Sequence, residues 1–439
     1  MNDSERPHAA PEAQAVPPAA GSTVAASARP AAMRFIMLVV LIDMIAIGLI
    51  IPVLPALVGS FTTSPADQAL AVGAVSFAFG LANFFGAPVL GALSDRYGRR
   101  PVLLLGFCGL ALNFFATAMA TALWMLIAVR LFGGAMQANA AVANAYVADI
   151  TPPEERARRF GMLGAMFGVG FILGPAIGGV LGAIDLHLPF FAAGTLALVN
   201  LAYGYFVLPE SLPPEHRRPF EWRKADPVTS LKRLAEMRGV GLLVAVIAFS
   251  GLAQFVLYTL WVLYAEFKFG WGPRESGWSL GAVGVVSVIV QGGLLGWMLK
   301  RHAPHRLALA GLVSSTLAFV GYGLATEGWM LYAIIFANVL GYTVTAAIQS
   351  IISAAADPSR QGQTLGSVSS LNSLMAVIAP LLGAPMLSVV SHYPPQDWRI
   401  GAPFYLCAAL QATALVLAWL HFRDTSNRTS APAAPGRPV

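Results

Sequence analysis

Twelve long apolar segments follow one another along this 439-residue chain, at about 33–58, 69–93, 101–120, 123–147, 159–183, 189–208, 240–264, 277–299, 306–325, 329–352, 364–389 and 402–421. Each is near the roughly 20 residues that a helix needs to cross a bilayer. Backbone polar groups in hydrocarbon must be satisfied within their own segment, so the pattern predicts an all-α integral membrane fold. The narrowest cuts fall at ATA (120–122) and TEG (326–328). Composition agrees: charged residues make up 11% of the chain, against roughly 25% in soluble domains.

Basic residues orient the segments. One set of alternating loops holds Arg96, Arg99 and Arg100, then Arg156, Arg158 and Arg159, then Arg217, Arg218, Arg223, Lys224, Lys232, Arg233 and Arg238, then Lys300, Arg301 and Arg306, and finally Arg360. The other set holds only Lys268, Arg274 and Arg399. Cytoplasmic loops carry the excess of Lys and Arg, so both termini and the central loop are expected in the cytoplasm. The same bias accounts for the net charge of +6 without a nucleic-acid partner. Residues 1–32 and 423–439, rich in Pro, Ala and Ser, are expected to be disordered tails. Between them the expected organisation is a six-helix bundle over 33–208, a cytoplasmic loop over 209–239 and a second six-helix bundle over 240–422. The first apolar run is long enough to span, so it is expected to stay as a helix rather than be cleaved as a signal peptide.

The halves repeat. Laying LGALSDRYGRRPVLLLG (90–106) over LGWMLKRHAPHRLALAG (295–311) matches Leu90, Gly91, Arg96 and Gly106, and the same offset carries Gly161 and Pro175 onto Gly366 and Pro380. Parallel repeats of this kind belong to transporters that bind their cargo near the midplane between halves. The two cysteines, Cys108 and Cys407, both lie in apolar segments and suggest neither a disulfide framework nor a thiol metal site. No nucleophile-base or metal-ligand constellation appears, so an enzyme is not expected. There is also no GxxxxGK[ST] loop for a nucleotide-driven pump.

Within the turn GALSDRYGRRP (91–101), Gly98 suits a tight backbone and Arg99 and Arg100 resist translocation. Asp95 is unnecessary for topology and needs a cation or a helix N-terminus as partner. This turn resembles the signature loop of the major facilitator superfamily, and the likeness covers nearly the whole chain. RLFGGAMQANAAVANAYVADITPPEERARRFG from Arg130, and GFILGPAIGG over 170–179, resemble the proton-coupled drug antiporters. With IDMIAIGLIIPVLP (42–55) and RQGQTLGSVSSLNSL (360–374) they are similar to the tetracycline-efflux proteins. The resemblance implies a cytoplasmic gate built from Gly91, Asp95, Arg96, Gly98, Arg99 and Arg100, with Asp149 as a partner and Asp95 locking that side against helix eleven. It implies that Gly170, Gly174, Pro175, Gly178 and Gly179 direct exchange and limit leak. The residues alone say that Gly170, Gly174 and Gly178 form one smooth helix face for a close neighbour, and that Pro175 can kink the helix.

Asp43, in the middle of the first span, is the clearest proton carrier, because an acid at that depth costs roughly 2.5–3.5 kcal/mol and defaults to a functional role. Its structural alternative is a permanently neutral acid tying two helices together. Arg130, which the resemblance links to proton transfer, could equally snorkel to the interface. Asn113, Gln137, Asn139, Asn144, Gln254, Gln291, Asn338, Gln349 and Asn372 could line a polar cavity or simply bond helix to helix. Tetracycline exporters carry further titratable groups in helices three, eight and nine, where this chain has Asn113, Ser287 and Ser315. Those groups are among the ones expected to meet the cationic metal–tetracycline chelate.

The sequence therefore points to a secondary active transporter with no cofactor or bound metal, whose partners are a drug-like small molecule, protons and the bilayer, and which is expected to act as a monomer. Proton-driven efflux of a hydrophobic or amphiphilic drug is the first reading. The alternatives are a metabolite or sugar symporter of the same fold and a non-transporting membrane sensor or scaffold. Topology is directly testable: reporter fusions at residue 225 and after residue 423 should both report cytoplasm, and a periplasmic signal at either site would break the span count.

Overall fold

In the computed structural model, residues 22–220, 226, 241–355 and 361–430 are described, and among them every regular element is helical. Ten spans are α1 (Ala32–Gly59), α2 (Pro65–Tyr97), α3 (Arg99–Ala118), α4 (Leu123–Ile150), α5 (Arg158–Ile184), α6 (Leu188–Val207), α7 (Gly241–Phe269), α8 (Pro273–Arg301), α9 (Pro304–Leu324) and α11 (Val368–Val390). The last is α12 (Trp398–Arg423), and a bent pair, Gly328–Ala337 with Gly341–Ile351, makes α10 if counted as one span. Eleven helices, or twelve with that pair, are long and apolar enough to cross a membrane. The expected tails differ where they are described. Helix precedes α1 from Ser22 and continues α12 to Ser430, which the Ala-rich stretch before α1 favours through intrinsic propensity. Residues 1–21 and 431–439, Arg223, Lys224, Lys232, Arg233, Arg238 and Arg360 lie outside the described residues.

Four spans are interrupted, and the first is α1, whose helix ends at Ile50 and resumes at Leu54. Helix α4 breaks at Gln137 and Ala138, between segments ending at Met136 and starting at Asn139. The two pieces of α10 meet at 53°, and α8 carries a π-helical turn over Val290–Leu294. Such breaks free backbone groups, and side chains or neighbouring helices must take them up. At the α4 break the Asn83 amide does so, donating to the Gln137 carbonyl at 2.7 Å.

Packing defines two ends. At the end bearing the 60–64 and 270–272 turns, one buried core combines both halves, including Leu49, Val72, Val256, Leu280 and Ala384. At the other end, where the basic loops lie, the cores are separate. Val102, Phe107, Val142 and Tyr146 belong to the first half, and Val246, Leu312, Ile348 and Leu371 to the second. Open space surrounds Gly91, Gly161 and Gly164 in the first half and Gly292, Gly293 and Gly296 in the second. The halves are thus joined at the far end and apart at the basic end.

Helix α5 is the joint. Gly170 abuts Met44, and Gly178 abuts the Leu49 carbonyl. A Cβ on Gly174 would lie 2.6 Å from the Gly48 Cα, and one on Gly48 would lie 2.9 Å from the Gly174 Cα. Gly179 turns to the other half, where its Cβ would lie 3.0 Å from the Gly277 Cα of α8. Backbone blocks these approaches, so no side-chain rotation can relieve an added methyl. Gly174→Ala should therefore destabilise the protein by about 1–3 kcal/mol through overpacking, read as a lowered thermal midpoint in detergent. An unchanged midpoint would mean that α1 and α5 are free to move apart.

Candidate functional site

The basic end of the first half holds a bonded cluster. Gly98, at φ 108°, separates α2 from α3 in a conformation that favours glycine. That turn brings Arg99 beneath the end of α4, where its Nε donates to Asp149 Oδ2 at 3.0 Å and its Nη1 donates to Ser94 Oγ at 2.7 Å and to Asp95 Oδ1. Arg99 is buried, and an unpaired cation there would be costly, so the two acids have a structural task. Asp95 stays in its own half: its carboxylate meets Arg99 and its carbonyl accepts from the Arg218 amide at 3.0 Å. Gly91 is surrounded by open space, Arg96 stacks on Tyr97, and the Arg100 guanidinium donates to the Tyr205 carbonyl.

Glu210 is a member that sequence reasoning missed. Its carboxylate accepts from the amides of Arg99 at 2.8 Å, Arg100 at 3.2 Å, Ser211 at 2.9 Å and Leu212 at 3.0 Å. It therefore caps the N-terminus of α3 from the segment that follows α6, satisfying two donors that a helix start leaves open. Ser211 donates to Asp149 at 3.2 Å and Tyr146 to the Pro209 carbonyl at 2.8 Å, completing the strap. The available signal was PESLPPEHRR itself, an acid directly after the sixth span. A cleft of about 710 Å³ lies beside this strap, lined by Asp95, Asp149, Glu210, His216 and Arg218 among others.

Asp43 lies deeper. It is 4% exposed, and Asn139 Nδ2 donates to its Oδ1 at 3.2 Å. The α4 break places Asn139 at the start of a new helical segment, which explains how an amide distant in sequence reaches α1. A void of about 10 Å³ adjoins the pair between Val40, Leu103, Phe107, Ala143 and Phe167, room for about one water. The neighbouring residue, Met44, is the one that Gly170 abuts. The Asp43 carboxyl and the glycine face of α5 thus share one stretch of α1.

Arg130 is 5% exposed, with its guanidinium 5.7 Å from the Phe79 ring. Among the described residues its Nε and Nη2 have no hydrogen-bond partner, and neither does the buried Asn113 Oδ1. Of the remaining amides, Asn338 accepts from Ser314 at 2.8 Å, Gln291 donates to Ser287 at 2.6 Å, and Asn144 donates to the Ala140 carbonyl at 2.8 Å. Asn372 lies 3.4 Å from where a Gly251 Cβ would sit, between α11 and α7. Gln137, Gln254 and Gln349 are half-buried, and Ser315 is buried near Asn338. These groups are spread over both halves rather than gathered at one point. Among the described residues no group of three His, Cys, Asp or Glu side chains could hold a metal ion.

A sequence profile of the Major Facilitator Superfamily matches residues 36–380 and 243–438. The class C tetracycline resistance protein of Escherichia coli is 38% identical over 368 residues, covering 84% of this chain and 92% of that protein. The class D tetracycline resistance protein of Salmonella ordonez is 34% identical over 396 residues, covering 89% and 99%. Among solved structures, the human organic anion transporter MFSD10 (TETRAN) superposes with a TM-score of 0.67 at 24% identity, covering 89% of this chain and 99% of that one. At that identity the likeness speaks for the fold alone.

The strap makes a local prediction. Glu210→Ala should raise hydrogen exchange at the Arg99 and Arg100 amides by about tenfold, the equivalent of one capping interaction, whereas Glu210→Gln, which keeps an acceptor, should raise it less. Unchanged exchange in Glu210→Ala would remove the capping role.

Proposed function

This chain belongs to the Major Facilitator Superfamily and crosses the membrane many times, and we propose that it is a proton-coupled exporter of a hydrophobic or amphiphilic drug. One observation carries the reading: the buried carboxyl of Asp43 sits where α1 meets both the α4 break and the glycine face of α5. A change in its charge is felt at once by the helix that joins the halves. Relatives named for tetracycline resistance support drug as the class of cargo.

In this account the basic end faces the cytoplasm of a cell whose inner, or plasma, membrane holds the protein as a monomer, and both termini lie inside. The state described is open to the cytoplasm and closed at the far end. Cargo enters between the halves, among amides such as Gln254 and Asn372. Asp43 gives up its proton to the cytoplasm, and the exposed charge favours rearrangement. With the far end open, Asp43 takes a proton from outside as the cargo leaves. Neutral again, it can be buried against Asn139, and the carrier resets. One proton moves inward as the drug moves outward.

The gate acts at the basic end. Asp95 and Asp149 hold Arg99 in the open state, and closing brings Asp95 toward the start of the eleventh helix. Gly170, Gly174, Pro175, Gly178 and Gly179 keep α5 close enough to α1 and α8 that the far end seals without a side-chain plug. Arg130 contributes a fixed positive charge on α4; no acid is seen bonded to it among the described residues, so its influence on Asp43 would be through the field rather than a direct bond.

Asn113, Ser287 and Ser315 leave little negative charge with which to attract a metal–tetracycline chelate, so a neutral or weakly amphiphilic drug fits better. Expressed in a pump-deficient bacterium, the protein should give weak or no tetracycline resistance but measurable efflux of another hydrophobic drug. Asp43→Asn should abolish gradient-driven efflux while leaving protein in the membrane. Strong tetracycline resistance that collapses with the proton gradient would overturn the cargo assignment. Full gradient-driven efflux by Asp43→Asn would overturn the coupling.

A further inference from the structure

At the far end, a polar contact crosses from one half to the other. The Gln68 side chain, in the first turn of α2, is buried, and its Nε2 donates to the Pro55 carbonyl of α1 at 3.1 Å and to the Glu266 carboxylate of α7 at 3.2 and 3.3 Å. Gly59 leaves room for the amide: a Cβ there would lie 2.6 Å from Nε2. The nearby cation Lys268 is engaged elsewhere, donating to the Gly323 carbonyl at 2.9 Å.

We infer that Gln68 and Glu266 form the latch of the far end, acting as positioning residues that set how much of the time this end is shut. Apolar contacts around it weaken gradually as the halves rock apart, whereas a hydrogen bond fails within a fraction of an ångström. A polar latch therefore separates shut from open sharply. It also lets go easily, because both groups exchange each other for water when the end opens, and the net contribution of such a bond is modest. Gln68 is tied to α1 as well as to α7, so it engages the carrier of Asp43 and the second half with one amide. This inference rests on family membership and geometry, and needs neither the proton coupling nor the drug proposed above.

The test measures the shape of the protein without cargo or gradient. With Cys108 and Cys407 replaced by alanine, spin labels at Thr63 and Arg274 report the far-end separation by pulsed dipolar spectroscopy in lipid nanodiscs. Labels at Thr63 and Thr121, both in the first half, serve as the control. Gln68→Ala should raise the open-to-shut ratio about threefold to tenfold, the span of a single hydrogen bond's net effect, with the control distance unchanged. Gln68→Glu, which sets two carboxylates together, should raise it further, and Glu266→Gln, which keeps an acceptor, should raise it less. In a Glu266→Ala background, Gln68→Ala should add nothing. An unchanged ratio in Gln68→Ala, or simple additivity in the double variant, would overturn the latch. Should Gln68→Ala disturb the control distance, Glu266→Gln decides the matter: a rise supports the latch and no rise overturns it.

Discussion

Backbone-to-backbone contact along α5 is the constraint on which the rest of this structure depends. Lipid is as apolar as leucine, so helices in a bilayer gain nothing by hiding oily side chains from it and must find their attraction in close packing. The glycines of α5 supply that packing on two sides. Gly170, Gly174 and Gly178 admit α1, and Gly179 admits Gly277 of α8. This helix therefore binds to α1 within the first half and helps to seal that half to the second, alongside the contact of Gly73 and Gly80 in α2 with Ala384 and Ala376 in α11. Among the described residues the basic end shows no equivalent joint, and its two cores stay separate.

Function follows from what that joint holds. Asp43 is one residue from the side chain that Gly170 abuts, and its one described hydrogen-bond partner is an amide at the α4 break. A carboxyl so enclosed is at ease when neutral and costly when charged. The α1–α5 contact beside it allows little sliding of α1 without strain. In the proposed cycle, this placement is what ties protonation to the relative position of the halves. At the basic end the tie is different in kind. Arg99 is balanced by Asp95 and Asp149, while Glu210 fixes the backbone of the same turn, so the charges there hold a loop whose shape the central linker also feels.

Much of this was legible in the sequence, for physical reasons that differ from residue to residue. Helices in lipid must be long and apolar, so the span order could be read from hydropathy alone, and the i, i+4, i+8 spacing of the α5 glycines announced a close neighbour. Which neighbour was not legible: periodicity gives a face but not its partner, and the motif around Gly48 in α1 does not say which helix packs on it. The turn glycine Gly98 and the acid Asp43 stood out because each is costly in its place. Asn139 did not, since nothing in NAAVANAYVADI (139–150) marks where α4 breaks. Glu210 and the Gln68–Glu266 contact join segments far apart in the chain, and polar residues at span ends are too common for pattern to single them out.

The central claim is that Asp43 changes protonation as the carrier works. Infrared difference spectra of the protein in lipid, recorded between low and high pH, address it directly. The account predicts a protonated-carboxyl band that disappears on raising the pH and is missing from Asp43→Asn, while the bands of surface acids remain. A difference spectrum that is the same in both proteins would contradict it, leaving Asp43 as a tie between helices and the proton with another carrier.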